Sequence, residues 1–285
     1  MFRRQTSGSV VCRSCGSLVG VRDEQCFSCG ARYPGLWGYA SFVRSLGHDL
    51  GFVPLIVGAS ATLYVVSLLL TGEALRAGGL LTLFSPSLES LFVLGASGAV
   101  PVFVYDRWWT VLSAGWIHGG LLHIVFNMMW VRDLGPVTAQ LYGPGRLVVL
   151  YTVSGVSGFA LSTLAGYYLA GLPFLAGARF TVGASAPIFG LLGALVYYGR
   201  RTGSRVVHGQ AVGYAAMLFV FGLIMPGVDN YAHGGGFAGG YLAARLMDPL
   251  EPERVDHLVA ALVCLALTAA AIAASVIHGV RLFLR

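Results

Sequence analysis

Lysine is absent from this chain of 285 residues, and charge of either sign is scarce: aspartate, glutamate and arginine together make up 11% of it. So little charge cannot solvate the surface of an ordinary water-soluble domain of this size. Three further absences narrow the chemistry. No His-Glu-x-x-His pattern occurs, which removes the zinc site of an intramembrane metalloprotease. No apolar run carries paired carboxylates, which argues against an aspartyl protease. Neither a charge pathway nor repeated half-domains can be found, and a transporter needs one or the other. A cleavable leader pattern is also missing before the first apolar run, so the N-terminus is expected in the mature protein.

What the chain has instead is apolar length. Hydrophobic residues are 56% of the total and the mean hydropathy is +0.75. They fall in runs long enough to span a bilayer, which predicts an all-α polytopic membrane protein. The runs are 52–70, 117–131, 147–169, 184–199, 209–225, 231–246 and 257–279. Arginine placement orients them through the positive-inside rule. With the N-terminus in the cytoplasm, thirteen of the eighteen arginines lie on that side, leaving Arg76, Arg107, Arg179, Arg281 and Arg285 outside. The expectation is a multi-pass protein of the cell membrane, N-terminus in and C-terminus out. Its net charge of +6 is then a topogenic signal and needs no nucleic-acid partner.

Four of the five cysteines stand before the first run, as "CRSCGSLVGVRDEQCFSC" over 12–29. Cys12, Cys15, Cys26 and Cys29 form two Cys-x-x-Cys pairs ten residues apart, each followed by a glycine that permits a tight turn. The spacing is that of a zinc ribbon, with the metal structural because so small a module builds little core without it. Two disulfides or four unrelated cysteines are the alternatives, and the cytoplasmic placement argues against disulfides. The predicted organisation is a ribbon over 1–34, a linker or interfacial segment over 35–51, a membrane core over 52–246, and a linker with a seventh span over 247–285. The ribbon's work is open: a stability cap, a regulator, or a docking module for a cytoplasmic partner. Cys264, alone in the last run, reads as a packing residue. The long segment 71–116 reads as an outer loop lying partly in the interface, anchored by Trp108, Trp109 and Trp116.

Polar side chains inside membrane runs are costly and raise a functional question. The second run opens "HGGLLHIVFN", with His118, His123 and Asn127; the fourth opens at Ser185; the sixth opens "YAHGGGFAGG", with His233. These three runs cross in the same direction, so the polar groups share a depth in the outer part of the membrane. His123 and Asn127, four apart, share a face. A serine, histidines and an asparagine at one depth are the inventory of nucleophilic catalysis: nucleophile, base and donors to an oxyanion. Gly236 and Gly240 follow His233 on its face at a spacing that lets helices touch, and Gly190 and Gly193 give the fourth run small residues of its own. Pro187 suits a first helical turn and places Ser185 at the helix start. Each residue also has a plainer reading, as packing histidine, structural serine or interhelical asparagine; coincidence of depth and face favours the site.

In combination these residues resemble the rhomboid family of intramembrane serine proteases. The resemblance covers about 52–246 and rests on His118, His123 and Asn127, on "GAS" at 183–185, and on "AHGGGFAGG" at 232–240. It implies a six-helix core, to which this chain adds the seventh span and the ribbon. It implies Ser185 as nucleophile and His233 as general base, a dyad without a carboxylate and without a catalytic cofactor. His123 and Asn127 would donate to the oxyanion with the Ser185 amide; His118 would support; Phe189 would pack on the His233 ring; Gly183 would belong to the turn before the nucleophile. Its substrates would be transmembrane segments entering from the lipid bilayer, past the fifth span. The alternative is an inactive rhomboid-like scaffold that binds membrane proteins. Two departures stand out. Ala186 takes the place of the family's glycine after the serine, where its methyl would crowd a substrate. "WWT" at 108–110 replaces the family's Trp-Arg, with Arg107 ahead of the tryptophans.

Overall fold

The chain holds 40 glycines and 11 prolines, yet long helices form, as membrane helices tolerate both residues better than soluble ones do. The structure, a computed structural model, describes residues 4–12, 15–40, 46–72, 84–172 and 176–283. It divides into two compact units, 1–51 and 52–285. Among the arginines that set the predicted topology, Arg3, Arg13, Arg44, Arg76 and Arg285 lie outside the described residues.

In the first unit β1 (Ser9–Val11) pairs antiparallel with β2 (Leu18–Gly20), setting Val10 opposite Val19. The two cysteine pairs form knuckles with the same bonding. Cys12 N–H donates to Ser17 and Gly16 N–H to Cys12; Cys26 N–H donates to Ala31 and Gly30 N–H to Cys26. Gly16 (φ +78°) and Gly30 (φ +73°) occupy the left-handed region that these turns require. Val10, Val19, Val21 and Ala40 bury with Cys12 and Cys26 to form the small core.

The second unit is helical. Helix α1 is Phe52–Thr71; α2 is Leu88–Leu94, capped by the Ser87 side chain; a π-helical turn follows at Val100–Val104. Helix α3 (Thr110–Ser113) runs into a 3-10 turn, Ala114–Trp116. Then come α4 (Leu121–Tyr142), α5 (Pro144–Tyr168), α6 (Ser185–Thr202), α7 (Arg205–Ile224), α8 (Asn230–Leu246) and α9 (Val255–Phe283). Helices α1, α5, α7 and α9 are each long and apolar enough to cross a membrane; counting α3 and its 3-10 turn with α4, from which they are bent by 92°, makes a fifth. Helix α8, at 17 residues, is too short to count, and α6 carries Arg200 and Arg201 in its last turn.

Helices α5, α6 and α8 pack through small residues, as expected where lipid supplies no hydrophobic drive between helices. Gly190 faces Ser154 of α5, and Gly155 of α5 faces Pro187, so α5 and α6 run antiparallel. Gly236 lies on the Ala186 carbonyl and Gly240 on Gly190, so α6 and α8 run parallel. Large apolar residues of α7 such as Met217, Phe221 and Leu223 are exposed, and only Ala211 and Gly222 of that helix are buried. This is a lipid-facing surface.

The structure corrects three expectations and adds a structural role to two arginines. The second run does not begin a helix at 117: Gly120 is extended (φ 174°) and α4 starts at Leu121, so His118 precedes the helix that carries His123. The segment before it is not a simple loop, since it holds α2, α3 and the π-helical turn. Trp116 is not an interfacial anchor but a buried core residue, edge-on to Phe52 and Tyr151. Two of the topogenic arginines are buried and bonded. Arg107 donates to the Phe92 carbonyl (2.6 Å) and the Ser275 carbonyl of α9 (2.9 Å) and lies 4.0 Å over the Phe92 ring. Arg146 donates to the carbonyls of Asp248, Glu251 and Pro252, tying the linker before α9 to the start of α5. Arg107, ahead of the tryptophans, thereby bonds this segment internally and to α9.

Candidate active site

Ser185 is the first residue of α6. Its helix has no side-chain cap at Ala184, so the first-turn amides are without intrahelical acceptors. The Ala184 amide is taken by His118 Nε2 at 3.4 Å. The Ser185 amide, at the helix start, has no acceptor within its own helix. Before them Gly183 has φ +124°, and a β-carbon there would stand 2.5 Å from His123 Nε2. Only glycine lets the chain turn there beneath the histidine ring.

Helix α8 brings His233 to Ser185: Nε2 lies 2.9 Å from Oγ. Phe189, one turn past the serine, stacks on the imidazole with ring centroids 4.2 Å apart and planes 16° from parallel. His233 is buried and Ser185 half-buried. The distance is that of a nucleophile bonded to its base, and the stacked ring removes the histidine's freedom to rotate away.

Helix α4 brings His123 and Asn127. His123 Nδ1 accepts the Gly119 amide at 3.3 Å, which leaves Nε2 as the protonated nitrogen, facing Gly183. His118 packs edge-on to His123 with centroids 5.2 Å apart. Asn127 is buried, and its Nδ2 donates to the His123 carbonyl at 2.8 Å, so one amide hydrogen is committed to its own helix. The structure therefore joins Ser185, His233, Phe189, Gly183, His123 and His118 by direct contact, while Asn127 joins through the His123 backbone. The Ala186 methyl does not face the serine's open side. It is buried against Gly158 of α5, among Ala114, Phe159 and Ala232.

Comparison with known proteins gives the family. The Rhomboid domain family model matches residues 105–249, just over half of the chain. The chain belongs to the rhomboid family. This rhomboid is 34% identical over 164 residues to RHOMBOID-like protein 4 of Arabidopsis thaliana, covering 56% of the chain and 39% of that relative. It is 29% identical over 163 residues to the rhomboid protease GluP of Bacillus subtilis, covering 56% and 30%. It is 25% identical over 161 residues to the inactive RHOMBOID-like protein 8 of Arabidopsis thaliana, covering 54% and 42%. The match thus spans less than half the length of each of these relatives. Its helices and family make the rhomboid a multi-pass membrane protein.

Sequence reasoning passed over Asp229. It caps α8, Oδ1 accepting the Ala232 amide at 3.0 Å and Oδ2 the Ser162 hydroxyl of α5 at 2.5 Å. The signal was present, an aspartate at the head of the run and four residues before the histidine.

In the rhomboid's first unit, the four cysteine sulfurs lie within 4.8 Å of one another. Cys12 and Cys29 are 3.8 Å apart and Cys15 and Cys26 are 3.6 Å apart, too far for disulfides. The cluster could hold a metal ion.

Proposed function

We propose that this chain is an intramembrane serine endopeptidase acting on transmembrane segments of other membrane proteins. The observation that carries the reading is the 2.9 Å contact of Ser185 Oγ with His233 Nε2, under the stacked Phe189 ring. His233 takes the serine proton as Oγ attacks the scissile carbonyl. The oxyanion receives the Ser185 amide, the His123 Nε2–H and the free amide hydrogen of Asn127. His233 then gives its proton to the leaving nitrogen, and water, activated by the same base, releases the acyl group. No cofactor takes part in this chemistry. His118 supports by holding the turn at Ala184.

Residues 52–246 form the catalytic core in this reading, with 247–285 as a linker and a seventh span. The arginine distribution supports an N-terminus in the cytoplasm and a C-terminus outside, with the site near the outer face of the cell membrane. Residues 1–34 form a zinc ribbon and 35–51 its linker. Four thiolates at zinc–sulfur bond lengths stand about 3.8 Å apart, close to the separations found here. A docking partner for the ribbon would be cytoplasmic.

A fluorescent fluorophosphonate tests the reading, because it reports an activated serine without a known substrate. Purified full-length protein should label, and Ser185→Ala and His233→Ala should not. Folded wild type that stays unlabelled beside a reactive reference hydrolase would favour a binding scaffold.

A further inference from the structure

Asp229 stands one turn before His233, and its carboxylate is held from two sides, by the Ala232 amide of its own helix and the Ser162 hydroxyl of α5. Its carbonyl accepts the His233 N–H at 3.1 Å. The residue is half-buried. A cap alone does not need this charge: serine or asparagine accepts the same amide as well as aspartate does, and a carboxylate at the head of a membrane helix is the more costly choice.

The charge has a use in the chemistry. His233 lies in the first turn of α8, at the positive end of the helix dipole, which opposes formation of an imidazolium. His233 must become one when it takes the Ser185 proton. Its Nδ1 has no hydrogen-bond partner among the described residues, so no directly bonded carboxylate stabilises the cation. The titratable groups facing His233 are Asp229 on its own helix and His123 on α4. Helix α5 presents Ser162 to Asp229, and α6 presents the Ser185 hydroxyl, with Arg200 and Arg201 in its last turn at the far end.

We propose that Asp229 is a positioning residue for the reaction: locked between Ala232 and Ser162, it fixes the start of α8 and supplies the negative charge that lets His233 carry a proton. The inference rests on the Ser185–His233 reading.

The test compares Asp229→Asn, which keeps a capping oxygen and removes the charge, with Asp229→Ala, which removes both. Each full-length variant is titrated with the fluorophosphonate, giving a maximal labelling rate and a half-saturating probe concentration, and its melting temperature is measured. The Asn variant should lose roughly five- to tenfold in maximal rate, the scale of a partly buried charge at a helix end, with half-saturation and melting temperature near wild type. The Ala variant should lose the same rate and also melt lower. An Asn variant that labels at the wild-type rate overturns the inference and leaves the dyad standing. An Asn variant whose rate falls only with its melting temperature also overturns it, since that is capping alone. Wild type that does not label overturns the dyad and the inference together.

Discussion

Gly240 rests on the carbonyl of Gly190, leaving no space for a β-carbon between α6 and α8. Gly236 lies in the same way on Ala186, and these two contacts set the spacing that puts Ser185 within 2.9 Å of His233. Gly240→Ala should therefore separate the helices. Overpacking of this kind costs about 1–3 kcal/mol. Fluorophosphonate labelling should fall further than the folded fraction, and measuring both on one preparation decides it; unchanged labelling would mean the interface has slack.

The donors should be unequal. His123 offers an Nε2–H that no other group takes among the described residues, whereas Asn127 spends one amide hydrogen on the His123 carbonyl. Loss of a full oxyanion donor costs on the order of a hundred- to a thousandfold in rate. His123→Ala should approach that range in the maximal labelling rate, and Asn127→Ala should lose less. An Asn127 variant as damaged as the His123 variant would contradict the ranking.

Arg107 should be needed for the fold of the outer segment and the docking of α9. Its guanidinium satisfies two buried carbonyls, and truncation leaves each unpaired at about 1–3 kcal/mol. Arg107→Ala should lower the melting temperature in detergent clearly. Arg107→Lys should not restore it, because a single ammonium cannot fork between Phe92 and Ser275. Ser275→Ala removes only the Trp109 indole bond at 3.0 Å and should cost about 1 kcal/mol.

The purified protein should contain one zinc ion per chain by elemental analysis. Replacing Cys12 and Cys15 with serine should remove it, since two of four thiolates cannot hold a structural ion. If the ribbon regulates the core, that variant will also lose serine labelling; unchanged labelling leaves it a cap or docking module.

Asp248 should give the helix ends a small acid sensitivity. The Leu250 amide and then the Arg201 guanidinium, 2.7 Å away, hold its carboxyl below the usual range. A carboxyl so lowered contributes stability above its ordinary value and loses it as pH falls through the lowered one. The pair is solvent-exposed, so the effect is weak. The melting temperatures of wild type and Asp248→Asn should differ slightly at neutral pH and converge in acid. A gap that persists in acid would show that the ion pair is not its source.

Composition and spacing alone determined that this is a helical membrane protein with a four-cysteine module before it, and they marked Ser185, His233 and His123; the family resemblance added Phe189. Those features are local: apolar run length follows bilayer thickness, a Cys-x-x-Cys pair follows one turn, and glycines four apart follow one helix face. Other features needed the packed chain. The second run could not reveal that the helix starts only after Gly120 and leaves His118 outside it, because a glycine pair is compatible with helix or turn. Ala186 looked able to crowd a substrate, and only the position of α5 turned its methyl into the interior. Arg107 looked like an outer charge until α9, 168 positions away, supplied its acceptor. Asp229 became more than a cap when Ser162, 67 residues earlier, closed on its second oxygen. Such contacts depend on how helices cross, which residue order within any one helix does not encode.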